Sequence, residues 1–275
     1  MNKFFRYSGA KDKFLSTINQ HIITDKTIYC EPFIGSGAVL FNLNKQFDKY
    51  YINDIDRNII RIYRTFQNIT YNKYIDTVNL VFDKFGRFTD DRRYISKESG
   101  EIAKQNYYNF RNWFNQNHWN TDTEIEGIYL HMLANSCINS MLRFGPNGMN
   151  QGFGLRFQLL DEMTFNNIKS VLERTVIYNG SYKDLLKLDA FFFFDPPYAS
   201  QASSYTGFSF KDQQEFLELI KNKEYLYTDI LNNVNSTLEN KLILREMVST
   251  APGTNKAKNS NIECLFSSYS LDKDW

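Results

Sequence analysis

Cysteine and proline are scarce in this chain, and their scarcity removes several classes of protein. Only 3 cysteines occur among 275 residues. Cys30, Cys137 and Cys264 stand far apart, so no pair has the spacing of a metal site, and an odd number does not make a disulfide framework. No metal is expected, and the natural setting is a reducing cytoplasm, bacterial or phage-infected. The 5 prolines supply no proline-rich linker. No apolar run is long enough to span a bilayer, and no lipidation motif occurs. The start, Met1-Asn2-Lys3-Phe4-Phe5-Arg6, meets charge at once and has no apolar stretch of the secretory kind. Charge of one sign is also lacking. With a formal net charge of +1, no overall basic field advertises a polyanionic partner, and a local basic face would have to serve.

Aromatics, by contrast, make up 16% of the chain, and they concentrate where the sequence is most informative. Phe191-Phe192-Phe193-Phe194 reads as a strand buried on both faces. It must stop at Pro196-Pro197, because proline cannot donate to a ladder. Asp195, Pro196, Pro197 and Tyr198 therefore sit at the carboxyl end of a buried strand, the edge where open α/β sheets bind ligands. Asp195 and the Pro196 carbonyl can both accept from one exocyclic NH2 group, and Tyr198 can stack on the ring bearing it. That chemistry activates an amine on a flat base. The plainer reading is a strand end and turn with Asp195 as a cap.

A second signal lies upstream. Thr27-Ile28-Tyr29-Cys30 reads as a strand, Glu31-Pro32-Phe33 ends it, and Ile34-Gly35-Ser36-Gly37 turns towards a helix expected near Ala38-Val39-Leu40. No Gly-Lys-Ser/Thr follows, so this is no P-loop, and the full dinucleotide Gly-x-Gly-x-x-Gly is absent. The next strand, Tyr50-Tyr51-Ile52-Asn53, ends in Asp54, about 20 residues after the loop, where an acid can hold ribose hydroxyls. A nucleoside without pyrophosphate fits better than a dinucleotide, and S-adenosylmethionine is the commonest such ligand. A tight turn without any ligand is the plainer alternative.

Strand–helix alternation is lost over residues 70–160. Arg57, Arg61 and Arg64 fall on one face of a helix over 57–66, either as a solvated basic face or as a DNA contact. Two further helical patterns cover 101–117 and 124–142, preceded by a basic, loop-rich segment with Lys84, Arg87, Arg92, Arg93 and Lys97. Asn139-Ser140-Met141-Leu142-Arg143-Phe144-Gly145-Pro146-Asn147-Gly148 then leads, through Gly152 and Gly154, to Arg156. A helix, a basic residue and a Gly/Asn-rich hairpin suit entry into a DNA groove; an ordinary loop with Arg143 capping its helix is the alternative. Beyond it come a helix near 161–173 and a strand at Thr175-Val176-Ile177-Tyr178. Ser181 and Tyr182 follow, Tyr182 placed to cover an adenine ring or merely to pack, and then a helix from Asp184. The loop 199–208, with Tyr205, precedes a capping box at Ser209–Asp212. Strands are expected at 225–228 and 263–269, separated by a polar, basic loop over 249–261 that has the composition of a mobile segment.

Together these residues resemble the Dam-type DNA adenine methyltransferases, the alpha group of amino-methyltransferases. The likeness covers most of the chain and follows the family's order: Tyr7-Ser8-Gly9-Ala10-Lys11, the Glu31–Gly37 loop, Asn53-Asp54-Ile55-Asp56, an insertion, then Asp195-Pro196-Pro197-Tyr198. It implies a Rossmann-like α/β sheet with an inserted helical target-recognition domain. Residues 1–60 and 165–275 would form the catalytic domain and 61–164 the recognition domain. Tyr7, Lys11, Glu31, Phe33, Gly35, Asp54, Ser181, Tyr182 and Asp195 would bind S-adenosylmethionine. Asp195, with Pro196 and Pro197, would hold the adenine N6 amine, and Tyr198 would stack on the flipped base. Arg6, Asn139, Arg143 and Asn147 would contact double-stranded DNA, with GATC the site suggested by the likeness. Ala10 departs from a glycine common in the family, the 225–248 region is short, and Asp229 stands where Asn or Ser is usual. A cytosine-C5 enzyme would need a Pro-Cys nucleophile, which is absent. The rivals are an RNA or protein-amide methyltransferase and a non-catalytic DNA-binding relative.

Overall fold

The structure is a computed structural model that describes residues 2–7, 9–88, 97–119, 123–140, 142–154, 159–199, 208–248 and 260–271. In chain order its elements are α1 (Leu15–Gln20), β1 (Ile28–Glu31), β2 (Lys49–Asp54), α2 (Arg57–Asn68), α3 (Tyr71–Phe85), α4 (Lys97–Asn117), α5 (Glu126–Ser136), β3 (Phe144–Gly145), β4 (Gly148–Met149), α6 (Glu162–Leu172), β5 (Thr175–Asn179), β6 (Phe191–Phe194), α7 (Phe210–Ile220), β7 (Glu224–Ile230), β8 (Lys241–Val248) and β9 (Ser260–Ser267). They form two compact units. The first comprises Met1–Asp12, Gly35–Asn42 and Asp56–Asn179; the second comprises Lys13–Ile34, Leu43–Ile55 and Gly180–Trp275.

The second unit carries the sheet, in the order β2-β1-β6-β7-β9-β8. β1 runs parallel to β2 and β6, and β6 parallel to β7, while β9 lies antiparallel to β7 and β8. This is a mostly parallel, Rossmann-like α/β sheet with an antiparallel edge. The four phenylalanines of β6 explain why it lies inside: all four are buried. Phe192 and Phe194 share one face, their rings stacked at 5.3 Å, and Phe194 meets Phe216 of α7 edge-on at 5.2 Å. Phe191, on the other face, lies against Tyr29 of β1 at 6.3 Å. Burying each such ring contributes about 1.5–3 kcal/mol. α7 begins at the predicted capping box, with Ser209 Oγ accepting from the Asp212 amide at 3.2 Å and Asp212 Oδ2 accepting from the Ser209 amide at 2.7 Å.

The first unit is helical. Phe4, Phe41, Tyr63 and Phe66 interlock, with Phe4 edge-on to the other three. α5 is buried along its whole length, and a methyl group on Gly127 would lie 2.4 Å from Thr65 Oγ1 of α2. Here the structure corrects the basic-face reading: Arg61 is 7% exposed and pairs with the fully buried Glu126 of α5, whereas Arg57 and Arg64 are exposed. His131 of α5 donates from Nε2 to the Phe4 carbonyl at 2.9 Å, and burial pushes its pKa down to about 4.

Four other expectations change. Where a helix was expected near Ala38, the chain makes only a 3-10 turn, Leu40–Asn42. The Asn42 amide donates to the Ala38 and Asn2 carbonyls, at 2.9 and 2.8 Å, offering the backbone an alternative to a helix. The helix from Asp184 is likewise a 3-10 turn, Tyr182–Leu185. α3 lies in a part of the expected helical insertion where no helix was singled out. It starts at Thr70, whose side chain accepts from the Lys73 amide, and stops at Gly86 in a left-handed conformation, φ 82°. β8 fills part of the stretch that looked too short; it is a mostly exposed edge strand, so no buried pattern announced it. Met141, Arg92, Arg93, Arg156, Tyr205 and residues 249–259 lie outside the described residues, as does Ser8.

Candidate active site

Three of the four parallel strands of the second unit end at an acidic residue or just before one. Glu31 closes β1, Asp54 closes β2, and Asp195 follows β6. Glu31 is 2% exposed and accepts from the Tyr29 hydroxyl at 2.6 Å. Asp54 is half-buried. Between them stands Asn53, also buried. Its amide Nδ2 donates to the Pro32 and Gly180 carbonyls, both at 3.0 Å, which ties the β1 end, the β2 end and the Gly180 turn together. Its Oδ1 is buried without a hydrogen-bond partner in the protein. Two carbonyl acceptors on Nδ2 fix which way the amide faces, so a buried acceptor is left over at this edge.

Aromatic rings wall the same edge. Phe33 and Tyr182 lie 5.0 Å apart between ring centres, and each also meets Phe216, at 6.0 and 5.7 Å. Tyr182 packs against both rings and remains half-buried. The exposed Ser181 caps its turn by accepting from the Lys183 amide at 3.3 Å.

Asp195 and Tyr198 are held by residues that sequence inspection did not select. Thr228 of β7 donates its hydroxyl to Asp195 Oδ1 at 2.8 Å. The Tyr198 hydroxyl donates to Glu263 Oε1 of β9 at 2.7 Å, and Arg245 of β8 donates to Glu263 Oε2 at 2.8 Å. Burial, with the Asp195 and Glu263 charges nearby, raises the Tyr198 phenol far above its ordinary range, so it stays a neutral donor. Pro196 is buried and Pro197 half-buried.

The remaining candidates belong to the first unit. The Tyr7 ring lies against Gly35, where a methyl group would come within 3.2 Å of it, and Gly35 has a left-handed φ of 47° that suits glycine. Lys11 is 3% exposed and donates to the Gly9 carbonyl at 2.8 Å. Arg6 is half-buried, its amide donating to Asn135 Oδ1 at 3.1 Å. Asn139, Arg143 and Asn147 are all exposed around an antiparallel hairpin in which β3 pairs with β4. α4 and the turn after it anchor that hairpin: the Asn115 side chain both donates to and accepts from the Met149 backbone, each at 2.9 Å, and Trp119 stacks on Phe144 at 5.4 Å.

A family description, D12 class N6 adenine-specific DNA methyltransferase, matches residues 7–270. The chain belongs to that family. Its similarity to curated relatives runs over most of the enzyme. The Type II methyltransferase M.MjaIII of Methanocaldococcus jannaschii is 27% identical over 77% of this chain and 76% of its own. The DNA adenine methylase of Escherichia coli K12 is 24% identical over 74% of this chain and 68% of its own, and that of Haemophilus influenzae is 25% identical over 75% and 68%. Among solved structures, the methyltransferase yhhF of Escherichia coli covers 93% of this chain and 84% of its own at 12% identity, with a TM-score of 0.32, too loose a fit to add to the strand order. The protein is thus an adenine-specific DNA methyltransferase, an enzyme that needs a methyl donor. Among its described residues no helix is long and apolar enough to cross a membrane.

Asp229 stands where the resemblance led to an expectation of asparagine or serine. It is 1% exposed, accepts from Gln213 Nε2 at 2.6 Å and from the Tyr227 hydroxyl, and its second oxygen accepts from the Ile230 amide at 2.7 Å. Burial raises its pKa from 3.8 to about 6, against those hydrogen bonds and with the Asp195 charge adding to the rise. The folded enzyme therefore holds the Asp229 proton more tightly than the unfolded chain does. Its contribution to stability is fully present below pH 3.8 and is lost as pH rises through 6. The full swing is about 3 kcal/mol. Asp229→Asn cannot titrate, so its stability relative to wild type should rise steadily between pH 4 and pH 6 and level off above. Urea titrations at a series of pH values test this; a difference that does not change with pH would contradict it.

Proposed function

We propose that the enzyme transfers a methyl group from S-adenosylmethionine to N6 of an adenine flipped out of duplex DNA. The observation that carries this reading is the Asp195–Tyr198 turn at the carboxyl end of β6, braced by Thr228, in a chain of this family. The donor edge fits a nucleoside. Asp54, at the end of β2, would hold ribose hydroxyls, Phe33 and Tyr182 offer ring faces, and the unpaired Asn53 Oδ1 is a buried acceptor that an exocyclic amine would satisfy. Tyr7, Lys11, Glu31, Gly35 and Ser181 complete the proposed set. S-adenosylmethionine supplies an activated methyl on a sulfonium, already a good leaving group.

The protein's share is placement. N6 is engaged in pairing and shielded by the stack, so the base must leave the duplex at a cost of a few kcal/mol. Asp195 and the Pro196 carbonyl accept from the N6 amine, draw it towards tetrahedral geometry and aim its lone pair. As the nitrogen gains positive charge, the Asp195 carboxylate takes a proton from it. Tyr198 stacks on the ring, and Pro197 stiffens the turn between them. Orientation of this kind accounts for a large share of a barrier when the reacting atoms are already activated.

Sequence readout falls to the exposed hairpin, with Arg143 on guanine, Asn139 and Asn147 beside it, and Arg6 as a further base contact; GATC is the proposed site. Residues 1–60 and 165–275 are the proposed catalytic domain and 61–164 the recognition domain. The test is methyl transfer from labelled S-adenosylmethionine to unmethylated duplexes with and without GATC. Label only in GATC duplexes supports both chemistry and site; label in both removes the site. Arg143→Ala should lower the ratio of kcat/KM for GATC over a one-base variant by about 10- to 100-fold, the value of a bidentate guanine contact. An unchanged ratio would reassign that contact.

A further inference from the structure

We propose that Glu263 is a positioning residue for methyl transfer, acting through Tyr198 to hold that ring where the target base stacks. The inference rests on the reading of Asp195–Tyr198 as the adenine pocket. Glu263 is 3% exposed, on a strand whose following residues Cys264, Leu265 and Phe266 are fully buried. A carboxylate in such a place carries a desolvation penalty of several kcal/mol and needs compensating partners. Each of its two oxygens has such a partner: Oε1 takes the Tyr198 hydroxyl and Oε2 takes Arg245.

The sheet explains how Glu263 comes to the active edge. β9 runs antiparallel to β7, with Glu263 opposite Ile230, the last residue of β7, and opposite Arg245 on β8. An early residue of β9 therefore lies beside the carboxyl ends of the parallel strands. That reversal gives the antiparallel edge a role in the chemistry rather than only in closing the sheet.

The physical effect follows from the phenol. Its O–H proton prefers the ring plane through conjugation, so a hydrogen bond at 2.7 Å restrains both the direction of the side chain and the rotation of the ring. Pro196 and Pro197 limit the backbone at the other end. A ring fixed at both ends presents one face to a base without losing rotamer freedom when the base arrives. Thr228 does the corresponding work for Asp195.

The test compares wild type with Tyr198→Phe, Glu263→Ala, Glu263→Gln and the Tyr198→Phe/Glu263→Ala pair. It reads kcat, KM for DNA and the dissociation constant for S-adenosylmethionine. Tyr198→Phe keeps the stacking ring and loses only the tether, so kcat should fall about tenfold with cofactor affinity unchanged. Glu263→Ala should give a similar loss, and the double variant no further loss, because both remove one interaction. Glu263→Gln keeps an acceptor for Tyr198, and Arg245 is exposed enough to turn to solvent, so kcat should stay within about threefold of wild type. Tyr198→Phe turning over like wild type, or losses that multiply in the double variant, would overturn the role of Glu263 while leaving the pocket intact. A wild type that transfers no methyl to adenine would overturn the pocket and this inference together. If Glu263→Ala does not fold, Tyr198→Phe and Glu263→Gln decide the matter.

Discussion

Asp195→Ala should lose methyl transfer while keeping the fold. The carboxylate is the one charged group in the proposed contact with N6, and it both orients the amine and receives its proton. Removing a group that works as general base typically costs 10²–10⁴-fold, and loss of orientation adds to that. Stability should hold, because Asp195 is only half-buried and its charge is one of the causes that push the buried Asp229 upward. Alanine relieves that repulsion, although Thr228 loses an acceptor. Single-turnover transfer, measured beside circular dichroism and S-adenosylmethionine binding, separates the two effects. Near-normal turnover in the variant would refute the assigned role. Loss of turnover together with loss of fold would show that Asp195 supports structure, and Asp195→Asn, which keeps shape and one acceptor, would then carry the test.

Glu126→Ala should produce the largest loss of stability from a single change away from the proposed site. Glu126 is fully buried and accepts from Arg61, from the Thr123 amide at 2.9 Å and from His118, 3.3 Å away. Arg61 is itself 7% exposed, and its Nε is already buried without a partner. Alanine would leave a buried guanidinium without its carboxylate, which costs about 3–5 kcal/mol. For a chain of this size the melting temperature should drop on the order of 10 °C. Glu126→Gln retains acceptors for Arg61 and should lose less. Thermal melts of the three proteins check the order; a Glu126→Ala melt within about 2 °C of wild type would mean that Arg61 finds another partner or reaches water.

Asp195 and Arg61 show what was legible and what was not. Asp195 was readable because its context is linear: an aromatic run fixes the strand, two prolines fix its end, and the acid has one place to stand. Asp54, the Gly35 turn, the capping box of α7 and the Asn139–Gly154 hairpin were readable for the same reason, each being a local pattern a few residues long. Arg61 was misread because its partner lies 65 residues away and a basic helical face looks the same whether it meets water or a carboxylate. α3 was missed although Tyr74, Val78, Val81 and Phe82 follow the helical period; Leu80, 68% exposed, sets an apolar residue off that face and weakens the pattern.

By itself, then, the sequence determined the family: the Asp-Pro-Pro-Tyr turn, the acidic strand ends and the order of motifs place the chain among the D12 adenine methyltransferases. Only the tertiary structure decided what holds that turn in place. Thr228 reaches Asp195 from 33 residues away and Glu263 reaches Tyr198 from 65. Both contacts exist because strand pairing sets the register, β7 beside β6 and β9 reversed beside β7. A side chain's neighbours along the chain follow from covalent order and local propensity. Its neighbours across a sheet follow from which strands pair, and that depends on burying the whole apolar face at once, which no short stretch of sequence specifies alone.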